Sequence, residues 1–307
     1  MQTLVNEEKN STVNRESMDV YLQEIKRKHK RQYRRTQVKK LLSNKLIVIG
    51  STMLLFVLLL MIFTPILVKY DPTSTNVTNR MQAPSAEFYF GTDNLGRDVF
   101  SRVLYGTRIS LLVGAVVTLI SGVIGTLIGL LSAYYKWLDN IFMRVMDGVM
   151  AIPEILLAIA LVAAFGPSTR NIIIALSFIF IPTIARTVRS AALAVKEQPF
   201  IESLKASGAK SGRIIFNHIL PNCMSSLLVQ VTFVFAYSII VEASLSFLGV
   251  GTPPPTPTWG AILQEGSAVI SVAWWMTLFP GLAIMITVIG LNLLGDGIRD
   301  FLDPHSN

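Results

Sequence analysis

Hydrophobic and polar positions segregate along this chain into long uncharged runs and short polar stretches. The first run, Leu46 to Val68, holds 23 residues without a charge, enough for one helix to cross a hydrocarbon core of about 30 Å. A second, Ile109 to Tyr135, holds 27. Further spans are expected from about Gly148 to Phe165, Asn171 to Val188, Asn222 to Val241 and Trp274 to Leu294. The pattern predicts an all-α integral membrane protein with six transmembrane helices.

Composition agrees. Of 307 residues, 51% are hydrophobic and 15% charged, whereas a soluble domain carries roughly a quarter of its residues charged. The net charge of +8 is uneven, because 12 of the 27 Lys and Arg lie in residues 1 to 45. Residues 1 to 19 are polar without periodicity, and no structure is assigned to them. Val20 to Lys45 is densely basic, with Tyr21, Leu22, Ile25 and Val38 interleaved. Directly before an apolar span, such a stretch reads as a juxtamembrane segment drawn to anionic lipid and not as a nucleic-acid binder. No signal-peptide pattern precedes it, so the first span is expected to stay in the mature chain.

Basic residues also orient the spans. If both termini are cytoplasmic, 21 Lys and Arg fall on that side, against six outside: Lys69, Arg80, Arg97, Arg102, Arg108 and Arg170. Lys69 to about Arg108 and residues 250–270 are then external. Lys136 to Asp147 becomes a short polar cytoplasmic loop. Trp137, Trp259, Trp274 and Trp275 fall near expected membrane interfaces. Gly122, Gly125 and Gly129 include a small-xxx-small pair suited to close helix packing.

The polar stretch Phe200 to Asn222 differs from the other connections. Pro199 with Phe200 to Ala206 suits a short helix, since proline at the first turn sacrifices no hydrogen bond and Glu202 favours the positive end of the dipole. Gly208 and Gly212 are expected to break it, with Gly208 at positive φ. A second short piece, Ile214 to Leu220, sets Ile214, Ile215 and Ile219 on one apolar side, and Pro221 resets the backbone. The stretch GTPPPTPTWG, residues 251–260, is expected to form a stiff extended strap, either framing the mouth of a pathway or acting as a spacer.

Catalytic chemistry is absent from the pattern. There is no phosphate-cradling G-x-x-x-x-G-K-[ST] loop, so nucleotide hydrolysis coupled to this chain belongs on another polypeptide. His29, His218 and His305 are scattered without ligand partners, and the single cysteine, Cys223, reads as an apolar filler. Two acids lie at or near membrane depth. Glu154, early in the third span, is a candidate for lining a pathway; Glu242, at the end of the fifth, is expected near the outer interface, where a charge costs little.

Several of these segments together carry a resemblance. Glu202, Gly208, His218, Leu220 and Pro221 fall at the spacing of the Glu-Ala-Ala, three residues, Gly and later His-x-Leu-Pro motif, although Ser203 and Leu204 stand in place of the two alanines. Gly91-Thr92-Asp93 with Gly96-Arg97-Asp98, Gly106 to Leu111, Ser246 to Gly251, Pro253 to Gly260 and Gly295 to Pro304 complete a set running from about residue 45 to the end. The chain resembles permease subunits of bacterial ABC importers, in the dipeptide, oligopeptide and nickel branch, and is similar to the second of its two paralogous permeases.

That resemblance implies the type I importer permease fold in a bacterial inner membrane. It implies pairing with a homologous permease, two cytoplasmic ATPase subunits that bind ATP and Mg, and an external substrate-binding protein. No cofactor, metal or catalytic residue is expected in this chain. The coupling loop, 198–222, would meet the ATPase through Phe200, Glu202, Leu204, Gly208, Ala209, Ile214, His218, Leu220 and Pro221, while Glu154 and Glu242 are candidates for pathway or gate. The chain then divides into a basic segment (1–45), a first span with its external loop (46–108) and a five-helix core (109–307). The rival reading is an ion- or proton-coupled secondary transporter, which usually shows mid-membrane carboxylates and repeat symmetry.

Overall fold

Asn44 starts the first span by accepting hydrogen bonds from the amides of Leu46 (2.9 Å) and Ile47 (3.3 Å), two of the donors that a helix start leaves unpaired. Helix α1 (Lys45–Leu67) is apolar almost throughout and mostly exposed, as a lipid-facing helix should be. The computed structural model describes residues 41–302. Most of the basic N-terminal stretch, His29, His305 and the end of the last motif, Asp303 and Pro304, lie outside the described residues.

Helix α2 (Val99–Tyr134) is capped by Asp98, which accepts from the Ser101 amide at 2.9 Å. It begins ten residues before the expected span, so Arg102 and Arg108 lie on its first turns and not in a loop. The expected cytoplasmic loop after it is a helix, α3 (Lys136–Met150), and the expected third span is broken: α4 (Glu154–Phe165) departs from α3 at 92°. Pro153 causes the break, because it lacks an amide hydrogen and disfavours helical backbone in the residue before it. At 1.5 Å per residue, the 12 residues of α4 extend only about 18 Å, too short to cross alone. Helix α5 (Thr169–Lys196) runs past the expected Val188 by two turns.

The short helix α6 (Pro199–Ala206) follows, then α7 (Ser211–Phe247). Gly212 does not break the chain; it lies inside the first turn of α7. Pro221 does not reset it either, because residues Ile214–Ile219 form a π-helical turn that runs straight into the rest of α7. The Leu220 amide donates to Ile215, five residues back, and the wider turn makes room where the proline ring would clash with a carbonyl of an α-helix. Helices α8 (Trp259–Ser267) and α9 (Trp275–Leu302) complete the chain. Among the described residues five helices are thus long and apolar enough to span a membrane, or six if the bent α3–α4 pair counts as one span.

The α2–α5 pair makes the most extensive helix contact. Gly125 and Gly129 permit it: a Cβ on Gly129 would lie 2.6 Å from the Ala185 carbonyl oxygen. Gly122 faces α7 instead, with Val231 at 3.7 Å.

At one end, residues 69–98 and 248–275 pack into a polar crown. Asp93, fully buried, accepts from the amides of Leu95 (2.8 Å) and Arg97 (2.9 Å), and from Arg97 Nε at 2.6 Å; it also pairs with Arg102. Both arginines reach Glu265 on α8 at 2.7 Å, which joins the two segments. Trp259 and Trp275 are not interfacial rings but buried anchors, donating to the carbonyls of Val103 (3.2 Å) and Thr92 (3.0 Å); Trp137 and Trp274 are exposed. The proline strap lies in this crown, and Thr258 at its end caps α8. The opposite end gathers the start of α1, the ends of α2 and α9, and the loop at 197–220.

Candidate functional site

The loop is built on a closed helix end. After α6 the Gly208 amide donates to the Lys205 carbonyl and the Ala209 amide to the Leu204 carbonyl, both at 3.0 Å, with Gly208 at φ +76°. This 5→2 and 6→1 pair is the Schellman arrangement, and the expected positive φ is there. Leu204 and Ala209, the apolar pair that accompanies it, pack against the main core together with fully buried Ile201. Ile214, Ile215 and Ile219 are buried beside them.

These contacts divide the candidate residues in two. Ile214 is core and presents nothing to a partner, while Leu204 and Ala209 are half-covered anchors. Phe200, Glu202, Gly208 and Pro221 are exposed, and His218 and Leu220 are half-buried. Ile201 was not singled out from sequence, although an apolar residue between Phe200 and Glu202 in a short polar helix is the natural anchor.

Polar contacts fix the loop to the bundle. Lys196, the last residue of α5, donates to the carbonyls of Ala133 (2.8 Å) and Tyr134 (3.0 Å) at the C-terminal end of α2, where a cation complements the helix dipole. Tyr134 in turn reaches Ser211 at 3.2 Å. Arg189 grips Asp139 of α3 through both carboxylate oxygens, at 2.5 and 2.7 Å.

The second feature lies at membrane depth. Glu154 opens α4 beside a cavity of about 470 Å³ that it lines with Phe180, Thr183, Gln230, Tyr237 and Asn292. Counting 1.5 Å per residue, Tyr237 lies about 15 Å from the crown end of α7 and Thr183 about 21 Å from that of α5. Both values place the cavity near mid-membrane. There an unpaired charge facing lipid costs about 2.5–3.5 kcal/mol on insertion scales, so such a residue turns to a wet or protein-lined space. The Tyr237 hydroxyl donates to Glu154.

Gln230 belongs also to a second cavity, of about 360 Å³, lined by Thr187, Ser225, Ser226 and Arg299 toward the loop end. The two form one polar track along α5, α7 and α9. Cavities elsewhere between the spans, walled by Leu54, Met61 and Leu112 or by Leu119, Leu127 and Met224, are apolar. Gln230, Asn292 and Thr183 went unremarked in the sequence, though uncharged polar residues inside apolar runs are a usable signal.

Glu242 is elsewhere. It lies five residues from the crown end of α7 and is fully buried, so it meets no water there: Ser246 donates to one carboxyl oxygen at 2.8 Å and Ser110 to the other at 3.2 Å, with Thr258 bonded to Ser246 at 3.4 Å. These hydroxyls from α2, α7 and the strap offset the cost of burying the group. It does not line the cavity around Glu154.

A bundle of long apolar helices, with one span broken at mid-depth beside a polar cavity and a short helix exposed at one end, defines a polytopic membrane protein of the transport class. The chain belongs to the family described as binding-protein-dependent transport system inner membrane component, whose profile matches residues 125–307. Residues 33–84 match the N-terminal TM domain of oligopeptide transport permease C. It is 45% identical over 271 residues to a dipeptide transport system permease protein of Alkalihalophilus pseudofirmus, covering 88% of this chain and 89% of the relative. It is 48% identical over 260 residues (83% and 86%) to a glutathione transport system permease protein of Escherichia coli, and 46% identical over 255 (81% and 85%) to that of Pectobacterium atrosepticum. The protein is a non-catalytic permease subunit of an importer.

Proposed function

We propose that this chain forms one half of the pathway of an ATP-driven peptide importer, pairing with a homologous permease as the second of two paralogues. The observation that carries the reading is the polar track. Glu154, Thr183, Gln230, Tyr237 and Asn292 line one side of otherwise apolar helices at membrane depth, a side that lipid would penalise and a hydrated path between two permeases would not. The relatives named for dipeptide and glutathione transport support a peptide cargo.

In this reading the loop end is cytoplasmic. The exposed face of α6, with Phe200 and Glu202, docks on an ATPase subunit that binds ATP and Mg. The crown is external and receives a substrate-binding protein, and both termini are cytoplasmic. Reconstituted vesicles test it. Uptake of a labelled dipeptide should require ATP and this chain, and should persist when an ionophore collapses the proton and sodium gradients. Uptake driven by either gradient without ATP would instead establish the secondary-transporter reading.

A further inference from the structure

Glu154 is the one acidic residue lining the mid-depth cavity; Gln230, Thr183 and Asn292 are neutral. Tyr237 occupies its Oε1, and Oε2 has no hydrogen-bond partner among the described residues. No Lys or Arg among them lies within 4.0 Å of the carboxylate. The position at the first turn of α4 puts the positive end of a helix dipole behind it, which favours a negative charge there. Around it stand rings: Phe180 and Tyr237 meet edge to face with centroids 5.8 Å apart, and Phe233 lines the same cavity. A carboxylate with a free oxygen, beside aromatic rings that line an open cavity of about 470 Å³, matches an ammonium group in charge, in hydrogen bonding and in cation–π attraction.

We propose that Glu154 and Tyr237, with the ring of Phe180, form a station for a protonated amine, where the α-ammonium group of a peptide is held midway through the membrane. The proposal rests on the pathway reading above. A proton relay fits less well, because the one acid of α7, Glu242, lies five residues beyond Tyr237 toward the crown and is sealed among hydroxyls away from the cavity. A divalent metal has too few ligands, since no cluster of three candidate ligands occurs among the described residues.

The test uses the complete importer in vesicles, with Cys223→Ser to remove the native thiol and Thr183→Cys as a reporter inside the cavity. Two thiol reagents of similar size are compared, a trimethylammonium methanethiosulfonate and a sulfonate one. With each rate divided by that reagent's rate with free mercaptoethanol, the cationic reagent should be favoured about tenfold with Glu154 present, and Glu154→Gln should remove that excess. Dialanine should slow the cationic reagent, while N-acetyl-dialanine, which lacks the ammonium, should not. Glu154→Asp keeps the charge and should keep most of the preference, which covers a failure of the Gln variant to assemble. Equal normalised rates with Glu154 in place would refute the station and leave the pathway standing, since the cavity would be wet but indifferent to charge. If neither reagent reacted, with or without ATP, the pathway reading would fail and the station with it.

Discussion

At Gly129 a Cβ would stand 2.6 Å from the Ala185 carbonyl oxygen and 3.0 Å from the Arg189 amide, both backbone atoms that cannot swing away. Gly129→Ala should therefore push α2 off α5 and destabilise the subunit by about 1–3 kcal/mol. Gly122→Ala, with its nearest neighbour at 3.7 Å, should be neutral or slightly stabilising. Thermal unfolding of the two purified variants checks the contrast; equal melting temperatures would contradict it. Small residues at helical spacing were legible in the sequence, but that Gly125 and Gly129 are tight and Gly122 is not was illegible, since that depends on α5 and α7 arriving from elsewhere. The two acids make the same point. Glu154 and Glu242 look alike in sequence, yet the break at Pro153 opens one onto a cavity, and Ser110 and Thr258, far away in the chain, seal the other.

Among the elements, the long apolar spans were legible because length and the absence of charge suffice to identify them. Helix α3 and the α3–α4 bend were not, because α3 carries Asp139, Arg144 and Asp147 and is too polar to read as a span, while a proline between two apolar runs does not announce how sharply the chain turns. The crown was the least legible part. The Lys and Arg bias placed it in external loops, but its order comes from buried charges that meet only in three dimensions. Asp93 and Arg102 are almost fully buried, so Asp93→Asn removes one partner and leaves both arginines short of charge. Breaking such a pair typically costs about 3–5 kcal/mol. The variant is expected to loosen residues 69–98 and α8 while the spans persist. Limited proteolysis in detergent reads this out, and a wild-type digestion pattern in that segment would contradict the crown's dependence on Asp93.

Across the whole molecule, the loop and the polar track are physically joined. Ile201 of α6 and Ile214, Ile215 and Ile219 of α7 belong to the same buried cluster as Phe180 and Val234, which line the cavity. In the proposed coupling, a push on α6 would pass through this cluster to α5 and α7, the helices that carry Thr183, Gln230 and Tyr237. The loop's motif was legible at the residues that set its backbone, Pro199 and Gly208, and not at the buried residue that anchors it, Ile201. In the proposed importer α6, held at one angle by the Gly208 turn, couples the ATPase to the pathway, and substitution of Gly208 tests this. A Cβ there meets nothing within 4 Å, so any effect of substitution comes from the backbone at φ +76° and not from a clash. Gly208→Val should cost about 1–3 kcal/mol of local strain, whereas Gly208→Asn, which tolerates a left-handed backbone, should be nearly neutral. Dipeptide uptake and co-purification of the ATPase should each fall about tenfold or more in the Val variant at unchanged membrane insertion, and stay near wild type in the Asn variant. Wild-type uptake by a normally inserted Gly208→Val importer would contradict the account.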